Sequence, residues 1–196
     1  MSDKKKSGVS RADAEAAVRT LLDWIGEDPD RAGIKRTPTR VIESFGDWFA
    51  GYAMDPYELL GNSFHSVNEY DRIVTLVGID FASHCEHHMA PFLGRIHLAY
   101  LPNKRLAGIS KLVRVVEAYT KRLQVQERLT AEIAKCINDT LEPRGVAVIV
   151  EAQHQCMTTR GVNKTNIKMV TDEMLGAFRD DDRIRAEFMH AVGQVG

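Results

Sequence analysis

Apolar side chains recur at helical spacing near the start of the chain. Ala14, Val18, Leu21, Leu22 and Ile25 share one face of residues 10–26, and Ser10 with Asp13 three positions on has the form of a capping box. The pattern predicts a first helix there. The stretch EDPDRAGIKR reads as a turn, after which Thr37 and Pro38 stand as N-cap and first residue of a second helix carrying Val41, Ile42, Phe45, Trp48 and Phe49. These helices are expected to form an extension, residues 1–68, that packs on something else, with Trp24 and Trp48 as helix-packing residues; residues 69–196 form the second unit.

From Arg72 the period changes. RIVTLVGIDF is an apolar, β-rich run, and FLGRIHLAYL alternates Phe92, Ile96, Leu98 and Tyr100 against Arg95, His97 and Ala99. Two strands are predicted to flank HCEHHMAP. Pro102 and Asn103 make a turn, Ser110 opens a helix over KLVRVVEAYTKRL, and a second helix over QERLTAEIAKCINDTL stops before Pro143. VAVIVEAQHQC and TNIKMVT supply a third and fourth strand, and DDDRIRAEFMHAV closes as an amphipathic helix. The order strand, strand, helix, helix, strand, strand lacks βαβ alternation. It favours an α+β fold: an antiparallel sheet with two helices on one face, plus the N-terminal helical extension.

Composition narrows the function classes. With 44% hydrophobic and 27% charged residues, the chain can bury a core, and a net charge of −1 gives no surface for generic nucleic-acid or membrane binding. No run approaches the ~20 apolar residues of a membrane span, and MSDKKKSG has no apolar stretch behind it. Cys85, Cys136 and Cys156 are too few for a disulfide framework and fit a reducing, cytoplasmic setting. Cys136, near Ile133 and Ile137 on a helical face, reads as a small buried hydrophobe.

The chemistry concentrates in two places. Cys85-Glu86-His87-His88 offers a thiol and an imidazole three residues apart, and His154-Gln155-Cys156 places two more donors on one face of a strand end. Cys85, His88 and Cys156 would give a metal three protein ligands and one open position, the pattern of a catalytic zinc site. There the metal would activate water, with His87 and His154 left for proton transfer. The spacing fits equally a structural site closed by a fourth ligand such as His84, or buried cysteines with core histidines. His65, His97 and His190 have no metal-like partners and read as surface or core residues. A zinc nucleobase deaminase would need His-x-Glu and Pro-Cys-x-x-Cys, which the chain lacks.

Three long segments, CEHHMAPFLGRIHLAYLPN, GISKLVRVVEAYTKRLQVQERLT and EAQHQCMTTRG, occur in the order in which the GTP cyclohydrolase I family carries them. The chain resembles that family from EDPDRAGIKRTPTR to the terminal helix. The resemblance implies Zn2+ held by Cys85, His88 and Cys156, with His87 and His154 catalytic. It implies the tunnelling fold, and a toroidal homodecamer with active sites between subunits. The implied reaction opens the imidazole ring of GTP at guanine C8, releases formate and forms 7,8-dihydroneopterin triphosphate. The alternative is a noncatalytic, zinc-stabilised nucleotide-binding oligomer.

The substrate's chemistry is matched residue by residue. Guanine N1–H and its 2-amino group can both donate to one carboxylate, and Glu127 matches the family's residue for that task. On its own it reads as a helix-end glutamate in an i,i+4 pair. Gln126 beside it could contact the base or cap the helix. Ser110 and Lys111 at a helix N-terminus, Arg114 one turn on, Arg160 and Arg40 match the family's triphosphate contacts. Singly, each reads as a surface residue.

Overall fold

The computed structural model describes residues 8–61, 64–65 (backbone only) and 70–194; the boundary expected at 68/69 and the side chain of His65 lie outside the described residues. In chain order the elements are α1 (Arg11–Trp24), α2 (Thr37–Trp48), a 3-10 turn (Ala50–Ala53), α3 (Pro56–Gly61), β1 (Phe64–His65), β2 (Val74–Cys85), β3 (Pro91–Leu101) and β4 (Arg105–Leu106). Then follow α4 (Ile109–Thr120), β5 (Leu123–Gln124), α5 (Gln126–Leu141), β6 (Gly145–His154), α6 (Gln155–Thr158), β7 (Met169–Gly176), α7 (Ala177–Asp180) and α8 (Asp182–Gly193).

The capping box at Ser10 and Asp13 opens α1 as the sequence predicts. For α2 the cap is Arg36 rather than Thr37, with no side-chain cap bond, and the proline lies inside the first turn. Neither helix has a fully buried residue, and α2 docks on the sheet through Trp48 and Phe49, whose rings pack on His84. Trp24, by contrast, is 82% exposed, so its predicted packing role is not met within one chain. The 3-10 turn is held to the end of α4 by a bond from Gly51 N–H to Lys121 O of 3.0 Å. A Cβ at Gly51 would lie 2.7 Å from that carbonyl oxygen, so the approach requires glycine.

The main sheet has the order β5-β2-β3-β6-β7. The ladders β2–β3, β3–β6 and β6–β7 are antiparallel, but β5 runs parallel to β2 through His84↔Leu123 and Cys85↔Gln124. The sheet is therefore mixed, where the sequence predicts an antiparallel one. The same pairing ends α4 at Thr120 instead of carrying it through Leu123, because Leu123 and Gln124 hydrogen-bond to the end of β2. Arg122 reinforces the exit by donating to Gly51 O and Met54 O, each at 3.2 Å. The last strand begins at Met169, later than TNIKMVT implies.

One face of the sheet carries the main core. Phe92, Ile96, Leu98 and Tyr100 of β3 meet Leu112, Val115 and Val116 of α4 and Leu129, Ile133 and Ile137 of α5; Cys136 is buried in the same cluster, as expected. The opposite face is partly covered too: Ala99, Leu101, Ala147 and Ile149 pack on Phe178 of α7 and Phe188 of α8, which meet edge to face at 5.9 Å. Helices thus lie on both faces rather than one. His97 is buried on the sheet and His190 is exposed on α8, in line with their reading as core or surface residues.

β2 contains a bulge. Leu76 pairs with Leu98 but Ile79 pairs with Ile96, so one strand advances three residues while the other advances two. Gly78, with φ +76°, takes the left-handed turn there. Before the bulge Val74 and Leu76 point to the main core; after it Ile79, Phe81 and Cys85 do. No described helix is long and apolar enough to cross a membrane.

Candidate active site

Cys85 is the last residue of β2, and residues 86–88 turn the chain back into β3. The turn is closed by Cys85 N–H to Ala90 O (2.8 Å) and Met89 N–H to Cys85 O (2.8 Å), with Met89 at φ +54°. This tight return puts the thiol of Cys85 on the buried side and leaves His87 and His88 exposed at the rim. The loop is tied to α5. Glu86 N–H donates to Gln124 O at 3.0 Å, and the Glu86 carboxylate pairs with Arg128 at 2.5 Å while Arg128 Nε donates to Gln124 Oε1.

The sequence predicts that His154 and Cys156 look out from one strand. The structure corrects this: β6 ends at His154, and Cys156 sits in the short helical turn α6. The turn brings its thiol back towards Cys85. Ligand atoms of Cys85, His88 and Cys156 all lie within 4.8 Å of one another, with Cys85 Sγ to His88 Nδ1 at 4.0 Å. Tetrahedral zinc, with Zn–S of about 2.3 Å and Zn–N of about 2.0–2.1 Å, sets such atoms roughly 3.5–3.8 Å apart. A contraction of at most about an ångström would close the set on one ion. Electrostatics agrees: burial, then the neighbouring Cys85 thiol, pushes the Cys156 thiol up, a cost that a cation would offset. Two thiolates and an imidazole suit a soft, tetrahedral divalent ion and leave a fourth position open. His84, the possible closing ligand, is instead buried against Trp48 and Phe49 and does not belong to the group.

The other candidates divide. His87 Nδ1 stands 3.8 Å from Cys85 Sγ, and Arg160 Nη1 is 3.1 Å from His88 Nε2, so both adjoin the cluster. His154 projects to the same face of the sheet as Phe92, its direct cross-strand partner. Burial holds the His154 imidazole below its ordinary pKa, with the Glu127 carboxylate pulling the other way. Glu127 is exposed in the first turn of α5, and Gln126 is buried with its amide against His154. Ser110 and Lys111 form the first turn of α4. Arg114 and Arg40 are exposed on α4 and α2, with no hydrogen bond or ion pair to the cluster among the described residues. Sequence reasoning missed Arg128 and the stacking role of Phe92. The alternation of β3 marks Phe92 as inward-facing, but its pairing with His154 depends on register.

Fold and cluster together define a class: an α+β protein with a donor set for one metal ion and histidines beside it, the equipment of a hydrolase. The family model for GTP cyclohydrolase I matches residues 14–193, and the chain belongs to that family. It is 52% identical over 183 residues to the GTP cyclohydrolase 1 of Maricaulis maris (strain MCS10), covering 93% of this chain and 89% of that one. To the GTP cyclohydrolase 1 of Sinorhizobium fredii (strain NBRC 101917 / NGR234) it is 49% identical over 180 residues, covering 92% and 88%. Among solved structures it overlays on the archaeosine synthase QueF-Like in the apo form with a TM-score of 0.43 and 17% identity, over 53% of this chain and 93% of that chain.

Proposed function

We propose that this chain hydrolyses GTP at guanine C8, releasing formate and forming 7,8-dihydroneopterin triphosphate, the first step towards tetrahydrofolate and other pterins. The activity is supported by family membership across nearly the whole chain. The observation that carries the chemistry is the convergence of Cys85, His88 and Cys156 next to His87, with His154 on the same sheet face as Cys85.

Cys85, His88 and Cys156 would hold Zn2+, which when bound supplies Lewis acidity and lowers the pKa of water. His87 and His154 move protons as the imidazole ring opens to a formamide and as that formamide is hydrolysed. Glu127 accepts from N1–H and the 2-amino group of guanine and so orients the base. Ser110 and Lys111 at the N-terminus of α4, with Arg114, Arg160 and Arg40, hold the triphosphate. Two hydrolytic cleavages consume two waters, and condensation of the rearranged ribose with the freed amine returns one. The balance is GTP plus one water to formate plus the dihydropterin.

The catalytic unit, residues 69–196, is read as a tunnelling fold, with residues 1–68 as its helical extension. The assembly is a homodecamer with active sites between subunits, working in the cytoplasm with neither nucleic acid nor membrane as partner. Its support is the apolar surface of a single chain, with Trp24, Ile109 and Val170 82%, 69% and 59% exposed. Incubating zinc-loaded protein with GTP tests the function, scoring formate and pterin fluorescence with a chelated control. Formate and pterin together, lost on chelation and restored by zinc, are expected; neither product from a folded, metal-loaded oligomer would overturn the reading.

A further inference from the structure

We infer that Gln126 is a positioning residue: it fixes the neutral imidazole of His154 as the Nε2–H tautomer and leaves Nδ1 as the one lone pair of the ring. The inference rests on the reading that His154 moves a proton in the reaction, and it goes beyond that reading by naming the nitrogen. It also gives Gln126 a task other than touching the base.

The protons around the Gln126 carboxamide decide its orientation. Gln126 is 1% exposed, and one end of its carboxamide lies 2.9 Å from Val150 O, 3.0 Å from Met169 O and 3.2 Å from Thr171 Oγ1. The other end lies 2.9 Å from His154 Nε2. Shape alone does not tell amide oxygen from nitrogen, so the surrounding partners must decide. Two of them are carbonyl oxygens, which only accept. The third is settled by the hydroxyls. Thr130 Oγ1 donates its single proton to Gln126 O at 2.8 Å, so in the 2.7 Å contact between Thr130 and Thr171 the proton belongs to Thr171. With that proton spent, Thr171 Oγ1 accepts from Gln126. Three acceptors surround one end, and that end is the NH2 group.

A flipped amide would set its oxygen against all three acceptors and leave buried polar groups unpaired. Oε1 therefore faces His154 and can only accept, so Nε2 carries the proton. Phe92 holds the ring plane from the other direction, stacked at 4.5 Å and 3°. The amide is anchored to the carbonyls of β6 and β7, so the tautomer is set by the sheet before any substrate arrives.

The test is a 15N spectrum of histidine-labelled, metal-loaded, full-length protein, taken where the ring is neutral, with the His154 signals assigned by their loss in His154→Asn. A pyrrole-type Nε2 and a pyridine-type Nδ1 are expected; the reverse assignment would overturn the inference, and this measurement needs no variant at Gln126. In Gln126→Met the signals should become a mixture of tautomers. Its kcat should fall about 10- to 100-fold, the usual cost of losing an orienting partner, with the Kd for GTP within about twofold of the parent. A tenfold loss of GTP affinity with kcat held would make Gln126 a substrate contact and reject the positioning role. Full turnover by His154→Asn would instead sink the proton-transfer reading, while the spectrum still decides the tautomer.

Discussion

Phe92 and His154 oppose each other directly across the β3–β6 ladder, their ring planes 3° from parallel and their centroids 4.5 Å apart. The stack fixes the plane of the imidazole, and Phe92 is itself fully buried among core residues. Replacing it with leucine removes an aromatic contact and opens a small void, which together should cost about 1–3 kcal/mol of stability. In Phe92→Leu, kcat should fall more than KM rises, read from urea unfolding and GTP turnover. A variant destabilised by that amount with unchanged kcat would show that the ring plane does not matter.

Cys156 reaches the cluster from α6 and Cys85 from β2, so no single element holds the set. Cys156→Ser should lower bound metal well below one ion per chain by elemental analysis and abolish turnover. Far-UV circular dichroism should be unchanged, since the thiol is only partly buried. Retained stoichiometric metal would remove Cys156 from the ligand set.

Arg128 joins the turn that carries His87 and His88 to α5 through Glu86 and Gln124. The ion pair is partly solvated, with 43% and 35% of its side chains exposed, so its own worth to stability is about 0–1 kcal/mol. Its effect on ligand geometry is larger: Arg128→Ala should weaken zinc binding by roughly 10-fold, as loss of an orienting partner does. Competition against a chromogenic chelator would measure it, and an unchanged affinity would make the bridge dispensable.

His97 carries the clearest pH signature away from the cluster. Burial pushes its pKa down; the Glu151 carboxylate opposes this and Arg95 adds to it. Its Nδ1 accepts from Gly78 N–H at 3.3 Å, a bond that protonation there would remove. The folded protein binds this proton less readily than the unfolded chain. Its contribution to stability is therefore full above the ordinary imidazole value of about 6.5 and is lost as the pH falls through the depressed folded value. The melting temperature should drop from pH 7 to pH 5, and less steeply in His97→Gln; identical slopes would refute the assignment. Some slope should remain, because burial also depresses His84 and His154.

The long elements were legible because their side chains repeat. The periodicity of α4 and α5 and the alternation of β3 mark core faces; α1 and α2 were legible as helices, although neither has a fully buried residue within one chain. What escaped is what only distant partners determine. Leu123 and Gln124 carry no strand signal of their own and are extended because the end of β2 offers them a free edge. Cys156 reads as strand because the residues before it alternate, yet the chain turns helical there, and the turn is what carries the thiol back to Cys85. The three donors converge despite this error, because the turn carries the thiol to the place the strand would not. The proton count around Gln126 needed coordinates: Thr130 and Thr171 are 41 residues apart and meet only through the packing of α5 on β7.

The bulge in β2 has a bearing on the chemistry that its position does not advertise. Side chains along a strand switch sides at every step. The extra residue near Gly78 reverses the phase for everything that follows, and Cys85 lies downstream of it. If the same residues ran through as a regular strand with no bulge, Phe81, Ser83 and Cys85 would turn to the far side of the sheet and the thiol would swing away from Cys156; deleting Val77 removes the extra residue with the bulge and should leave them in place. One irregular step seven or eight positions upstream thus decides on which side of the sheet the Cys85 thiol is presented.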